Sequence, residues 1–111
     1  MKVIDFTEIQ IRQYIEEIRP PKEIRSQLDV SYFFKNGVVE IFEIRPKWDN
    51  DKVFENFPIA RVRYVKSKNI WRIYWMDSNE KWIQYKPNFE EQHFSKVIEV
   101  IKKDEHGCFW G

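Results

Sequence analysis

Ile11, Tyr14, Ile15 and Ile18 recur at the i, i+3, i+4, i+7 spacing of one buried helix face. Ahead of them Thr7 and Gln10 have the spacing of a capping box, and Phe6 and Ile11 that of a hydrophobic staple. Pro20 and Pro21 end the pattern, because the residue before a proline is steered out of the helical region. The segment KEIRSQL reads as a turn of helix that leads into a sheet. A second helical stripe, Phe94, Val97, Ile98 and Ile101, follows Asn88 and Glu91, which are placed to start that helix, and Gly107 is placed to end it.

Between the helices the period changes from 3.6 to 2. In DVSYFFKNGVVEIFEIRP, Asn36-Gly37 separates two aromatic and β-branched runs, and both positions of a type I′ turn need positive φ. This tip pairs Phe34 with Val39, Tyr32 with Ile41 and Val30 with Glu43. Ser31, Phe33, Glu40, Phe42, Asp29 and Ile44 fall on the other face. PKWDNDKVFENFP, polar and bounded by prolines, reads as a long loop whose Trp48, Phe54 and Phe57 fold back onto the body.

A second hairpin follows in IARVRYVKSKNIWRIYW. A turn tipped at Lys68-Asn69 pairs Tyr64 with Ile73 and Val62 with Trp75, and gathers Ala60, Val62, Tyr64, Ile73 and Trp75 on one apolar face. Arg61, Arg63, Arg72 and Tyr74 then share the opposite face, with Lys66 and Lys68 toward the tip. A one-residue slip would mix the faces, so parity is strongly specified. KWIQY supplies a fifth strand, in which either Trp82 or Ile83 faces the core, and the apolar tail CFWG docks on the body. The expectation is one α+β domain over residues 1–111: a five-stranded antiparallel meander with an N-terminal and a C-terminal helix on one face.

Composition narrows the function classes. The chain has 111 residues, 42% hydrophobic and 33% charged, which suits a globular fold and not a disordered one. Its 17% aromatic content favours half-buried pleated surfaces. Cys108 is the only cysteine, so neither an internal disulfide nor a cysteine-based zinc site is available. The start, MKVIDFTEIQ, has no apolar run of signal-peptide length, and no stretch approaches the ~20 apolar residues that span a bilayer. A cytoplasmic location with no membrane partner is the expectation. No P-loop, G-x-S-x-G, H-E-x-x-H or dinucleotide fingerprint occurs, so no catalytic residue, metal or cofactor is assigned.

The blocks RPPKEIRSQLDVSY, VEIFEIRPKWD, PIARVRYVKSKNIWRIYW, KWIQYKP and CFWG, in that order, resemble one bacterial family, the uncharacterised domain of unknown function 3024. The resemblance runs from about Phe6 to Gly111 and implies a stand-alone bacterial domain, with no activity or catalytic residue to carry over. Where the family often has a histidine this chain has Ile83, so the resemblance supplies no catalytic histidine. Small bacterial chains of this kind also travel on mobile gene cassettes.

Two constellations stand out in a chain of net charge only +1. Arg61, Arg63, Lys66, Lys68, Arg72 and Tyr74 combine cations that neutralise phosphate with a ring that stacks on bases, and the stretch has no acid. The plainer reading is a solvated sheet face that keeps strands from pairing edge to edge. Glu43 sits on the apolar face and needs a cation from Arg19, Arg25 or Arg45. That set forms either an ion-pair cluster or a pocket for an anionic ligand. Asp29 with Glu43-Ile44-Arg45 imitates a metal-nuclease motif, but arginine replaces the lysine and the register sends the two carboxylates to opposite faces. The readings carried forward are a non-enzymatic module binding nucleic acid or an acidic protein surface, a metal-independent toxin-like ribonuclease, and a self-assembling homodimer.

Overall fold

The computed structural model describes residues 6–111; the first five residues of the start read above for a leader lie outside the described residues. The order is α1 (Phe6–Ile18), β1 (Asp29–Lys35), β2 (Val38–Lys47), β3 (Asn50–Val65), β4 (Ile70–Met76), β5 (Trp82–Gln84), β6 (Glu90–Glu91) and α2 (Phe94–Lys103). This is the expected α+β arrangement. Strands β1 to β5 are neighbours in sequence order and antiparallel.

The apolar stripe of α1 buries Ile11, Tyr14 and Ile15. Phe6 is exposed, so it does not form the expected staple, and Thr7 lies in the first turn of the helix. After the prolines the chain makes short-range turns, with Ile24 N–H donating to Pro21 O at 2.9 Å and Gln27 N–H to Ile24 O at 2.8 Å.

The first hairpin has the expected register, and Asn36 and Gly37 both have positive φ, 52° and 74°. The second keeps its expected faces, but its turn is longer. Lys66–Asn69 form a four-residue loop, so Tyr64 lies opposite Trp71 and Val62 opposite Ile73, two residues from the two-residue-turn register. Asn69 takes the left-handed conformation (φ 53°), and the Tyr64 hydroxyl donates to its side chain. A shift of two leaves every side chain on the same face.

The stretch read as a loop is strand. β2 runs on to Lys47 and β3 starts at Asn50, so the Trp48-Asp49 turn caps a two-stranded arm. Pro58 is accommodated at a bulge, where Ile41 faces Ala60, Phe42 faces Pro58 and Ile59 is the extra residue. A proline lacks the N–H a regular ladder needs, and a bulge removes that requirement. The arm's aromatics do not fold back: Trp48 is 96% exposed, Phe54 50% and Phe57 41%.

Two end corrections follow from the second helix. Asn88 does reach Glu91 (Nδ2 to Oε1, 3.0 Å), but in the connection before the helix, where Glu90 and Glu91 pair with β4 along the row begun by β5. Lys86–Asn88 form a short 3-10 turn that loops out between β5 and β6, while along the same edge of β4 Ile73 O accepts from Tyr85 N–H and Ile73 N–H donates to Phe89 O. α2 begins only at Phe94 and ends at Asp104, whose φ of 44° makes it the left-handed cap expected at Gly107. Both helices, the tail residue Phe109, and Val30, Val39, Ile41, Ala60, Val62, Trp71 and Ile73 form one core on the inner sheet face. Trp75 packs on that core but is only partly buried.

Candidate functional site

The helices leave the outer sheet face uncovered, and parity decides what stands there. Across the strands one row reads Lys35, Val38, Arg63, Arg72 and Glu90; the next reads Phe33, Glu40, Arg61, Tyr74 and Gln84. Met76 lies opposite Trp82 beyond them, which answers the open question of the fifth strand: Trp82 faces out, and Ile83 pairs with Trp75 toward the core. Phe33 is 42% exposed. Arg61 lies over the Trp82 ring at 5.9 Å and Arg72 over Phe89 at 5.7 Å, while Phe89 meets Tyr74 edge-on at 5.4 Å. Aromatic rings therefore alternate with guanidinium groups across the face.

The hairpin stretch contains no acid, but tertiary pairing brings two to it. Arg72 Nε is 2.9 Å from Glu90 Oε2. Glu40 stands opposite Arg61, and burial pushes its carboxyl above the usual range while Arg61 opposes that shift. Arg63, Lys66 and Lys68 are exposed and make no ion pair among the described residues. Lys35 joins them at this end, because the Asn36-Gly37 tip packs on β3, with Tyr64 N–H donating to Gly37 O at 2.8 Å. The free positive charge is thus centred on the tip end of the sheet, displaced from Arg61 and Arg72. Lys35 was missed because its distance from Arg63 in sequence hides their shared row.

The second constellation divides. Arg19 grips Asp29 with two parallel bonds, Nη2 to Oδ2 at 2.8 Å and Nε to Oδ1 at 3.0 Å, and also reaches Glu16. Arg25 Nε donates to Pro20 O at 2.9 Å. Glu43 takes Arg45, with Nη2 at 3.0 Å. Each of the four is thereby engaged within the chain. Asp29 lies opposite Ile44 and Val30 opposite Glu43, so the two carboxylates of the nuclease-like motif are on opposite faces. Among the described residues no group of three or more His, Cys, Asp or Glu is placed to hold a metal ion, and no helix is long and apolar enough to cross a membrane.

The Arg19 clamp has a pH consequence. Its hydrogen bonds hold the Asp29 carboxyl below the usual carboxylate range, partly against burial. A lowered folded-state pKa contributes stability above the unfolded value, and that stability is lost as pH falls through the folded one. Melting temperatures of the parent are therefore expected to fall below about pH 4. Asp29→Asn should melt lower at neutral pH and converge on the parent in acid; equal gaps at pH 7 and pH 2 would dissociate the clamp from the profile.

No curated protein and no solved structure matches the chain. One family model does, over residues 3–111, which takes in the whole sheet, both helices and the tail, and by that match the chain belongs to the family described as domain of unknown function DUF3024.

Proposed function

We propose that this protein is a non-enzymatic binding module that lays single-stranded nucleic acid across its outer sheet face. The observation that carries the reading is the alternation on that uncovered face of Phe33, Tyr74 and Trp82 with Arg61, Arg63 and Arg72, flanked by Lys35, Lys66 and Lys68. Single strands expose base faces that stack on aromatic rings at about 1–3 kcal/mol per base, while guanidinium and ammonium groups follow the phosphates. A merely solvated sheet face has no need of an exposed phenyl ring and a half-exposed indole.

Phosphate contacts position a strand without reading its sequence, so binding should be weak and largely indifferent to sequence. With three to four free cations at the tip end, the log–log salt slope should be about −2 to −3, at about −0.7 per phosphate. The test is titration of labelled single-stranded RNA and DNA at low salt with the parent, an Arg63→Glu/Lys66→Glu/Lys68→Glu triple variant, and Phe33→Ala. All four positions are exposed, so the variants should fold normally. The triple variant should lose most binding and flatten the slope; Phe33→Ala should weaken binding about 5- to 100-fold at an unchanged slope. No binding by the parent, or equal binding by the triple variant, would leave a solvated face or an acidic protein partner.

One observation favours a second reading, a metal-independent ribonuclease. Glu40, its carboxyl pushed up by burial, faces Arg61, the type of base and phosphate-stabilising cation that 2′-hydroxyl attack requires. Neither histidine serves that face as the acid: His93 stands at the N-terminal boundary of α2 and His106 lies by Tyr85. Intact RNA after prolonged incubation supports the binding module, and cleavage abolished by Glu40→Gln supports the enzyme.

A further inference from the structure

The two-stranded arm raises a problem that the nucleic-acid face does not answer. Strand β1 accompanies β2 only as far as Ile44, and β4 accompanies β3 only from Ala60. Beyond those limits the arm has no third strand, and a lone hairpin is marginal in water. It nevertheless carries Trp48 at its very tip, almost wholly exposed, with Val53, Phe54 and Phe57 exposed behind it. A large apolar side chain held out on a projecting turn has the form of a plug.

The same chain contains a matching socket. A cavity of about 310 Å³ opens on the helix side of the sheet at the base of the arm. Ile18, Leu28, Val30 and Trp110 make apolar walls, Glu43 supplies a hydrogen-bond acceptor, and Lys102 stands at the edge. A buried indole needs an acceptor for its N–H, and a carboxylate is a good one. A molecule's own Trp48 is carried away from its own socket, because five residues of extended strand separate Glu43 from Trp48, about 17 Å at ~3.4 Å per residue.

We infer that two copies of this chain form a two-fold dimer by exchanging arms, with Trp48 of each seated in the cavity at the base of the other's arm. A two-fold axis between Arg45 and Pro46 brings each tip level with Glu43 of the second copy. The charges agree with that arrangement. The arm carries Arg45, Lys47 and Lys52 against Asp49, Asp51 and Glu55, so it is neutral in sum and does not repel a second arm. The area is adequate: a buried tryptophan covers about 150–250 Å². Two such plugs with the socket walls they cover come to roughly 600–1,000 Å², and the exposed Phe57, opposite Glu43 on the same face of the arm, extends this toward the roughly 1,200 Å² of a stable interface. The socket opens on the helix side, so docking there leaves the outer face free for its proposed ligand. The two proposals stand or fall separately.

The experiment is sedimentation velocity of the full chain at about 100 μM, where a dimer of micromolar Kd is assembled. The parent should sediment as a dimer. Trp48→Ala removes the plug and Leu28→Trp fills the socket, and each alone should sediment as a monomer. Leu28 is only half-buried and Trp48 exposed, so circular dichroism should show both variants folded. An equimolar mixture of the two variants retains one sound plug and one sound socket, and should recover a weaker 1:1 dimer. A monomeric parent, a Trp48→Ala variant that dimerises like the parent, or a mixture that stays monomeric would each overturn the arm exchange.

Discussion

Alanine at position 71 is expected to destabilise the protein by about 3–5 kcal/mol, the range for removing a buried aromatic. Trp71 lies on the inner face opposite Tyr64, with ring centroids 5.0 Å apart, and meets Phe94 of α2 edge-on at 4.9 Å. One side chain therefore links the β3–β4 hairpin to the C-terminal helix, and its removal opens a cavity that neither can collapse into without moving the other. Native domains are stable by only about 5–15 kcal/mol, so the variant should keep a fraction of its stability or none. Urea denaturation followed by circular dichroism measures the effect. Trp75 would be the first choice from a two-residue turn, but it is only partly buried, and Trp75→Ala should cost clearly less. A smaller loss at 71 than at 75 would contradict the observed register.

Removing the Asp104 carboxylate should cost roughly 2–3 kcal/mol, the scale of a hydrogen-bonding group with a formal charge. Asp104 accepts from three successive backbone N–H groups: Phe109 at 3.0 Å, Trp110 at 2.8 Å and Gly111 at 3.2 Å. It does so from the left-handed position that ends α2. The aspartate thus stops the helix and folds the tail back, placing Phe109 against Tyr85 with centroids 4.9 Å apart. Asp104→Ala loses all three bonds and also the short polar side chain that makes the left-handed conformation tolerable, with the β-carbon itself unchanged. Asp104→Asn keeps a short acceptor and tolerates the conformation, so it should fall between alanine and the parent. Hydrogen exchange at Trp110 and Gly111 should quicken in the alanine variant first; unchanged protection there would mean that the tail is held by its side chains alone.

The difference between what was legible in the chain and what was not follows from how far each signal reaches. The α1 stripe, the Asn36-Gly37 register and the faces of the second hairpin are local patterns, in which period and turn chemistry suffice. The arm was hidden because Pro46 and Pro58 imitate loop boundaries, and only the paired strands show that each sits at a register shift, where the ladder does not need its N–H. The start of α2 was misplaced because Asn88 and Glu91 satisfy each other in a turn, while the edge of β4 claims Glu90 and Glu91.

For the candidate site the division is sharper. Alternation within the sequence alone determined that Arg61, Arg63, Arg72 and Tyr74 share a face, because a strand cannot turn one of them inward without turning its apolar neighbours out. Which of these charges stay free was decided only by tertiary structure. Glu40 and Glu90, distant in sequence, are brought beside Arg61 and Arg72 by strand order, and Lys35 is brought into the row of Arg63. Electrostatic interaction depends on separation in space, and in a folded sheet that separation is set by register across strands and not by distance along the chain.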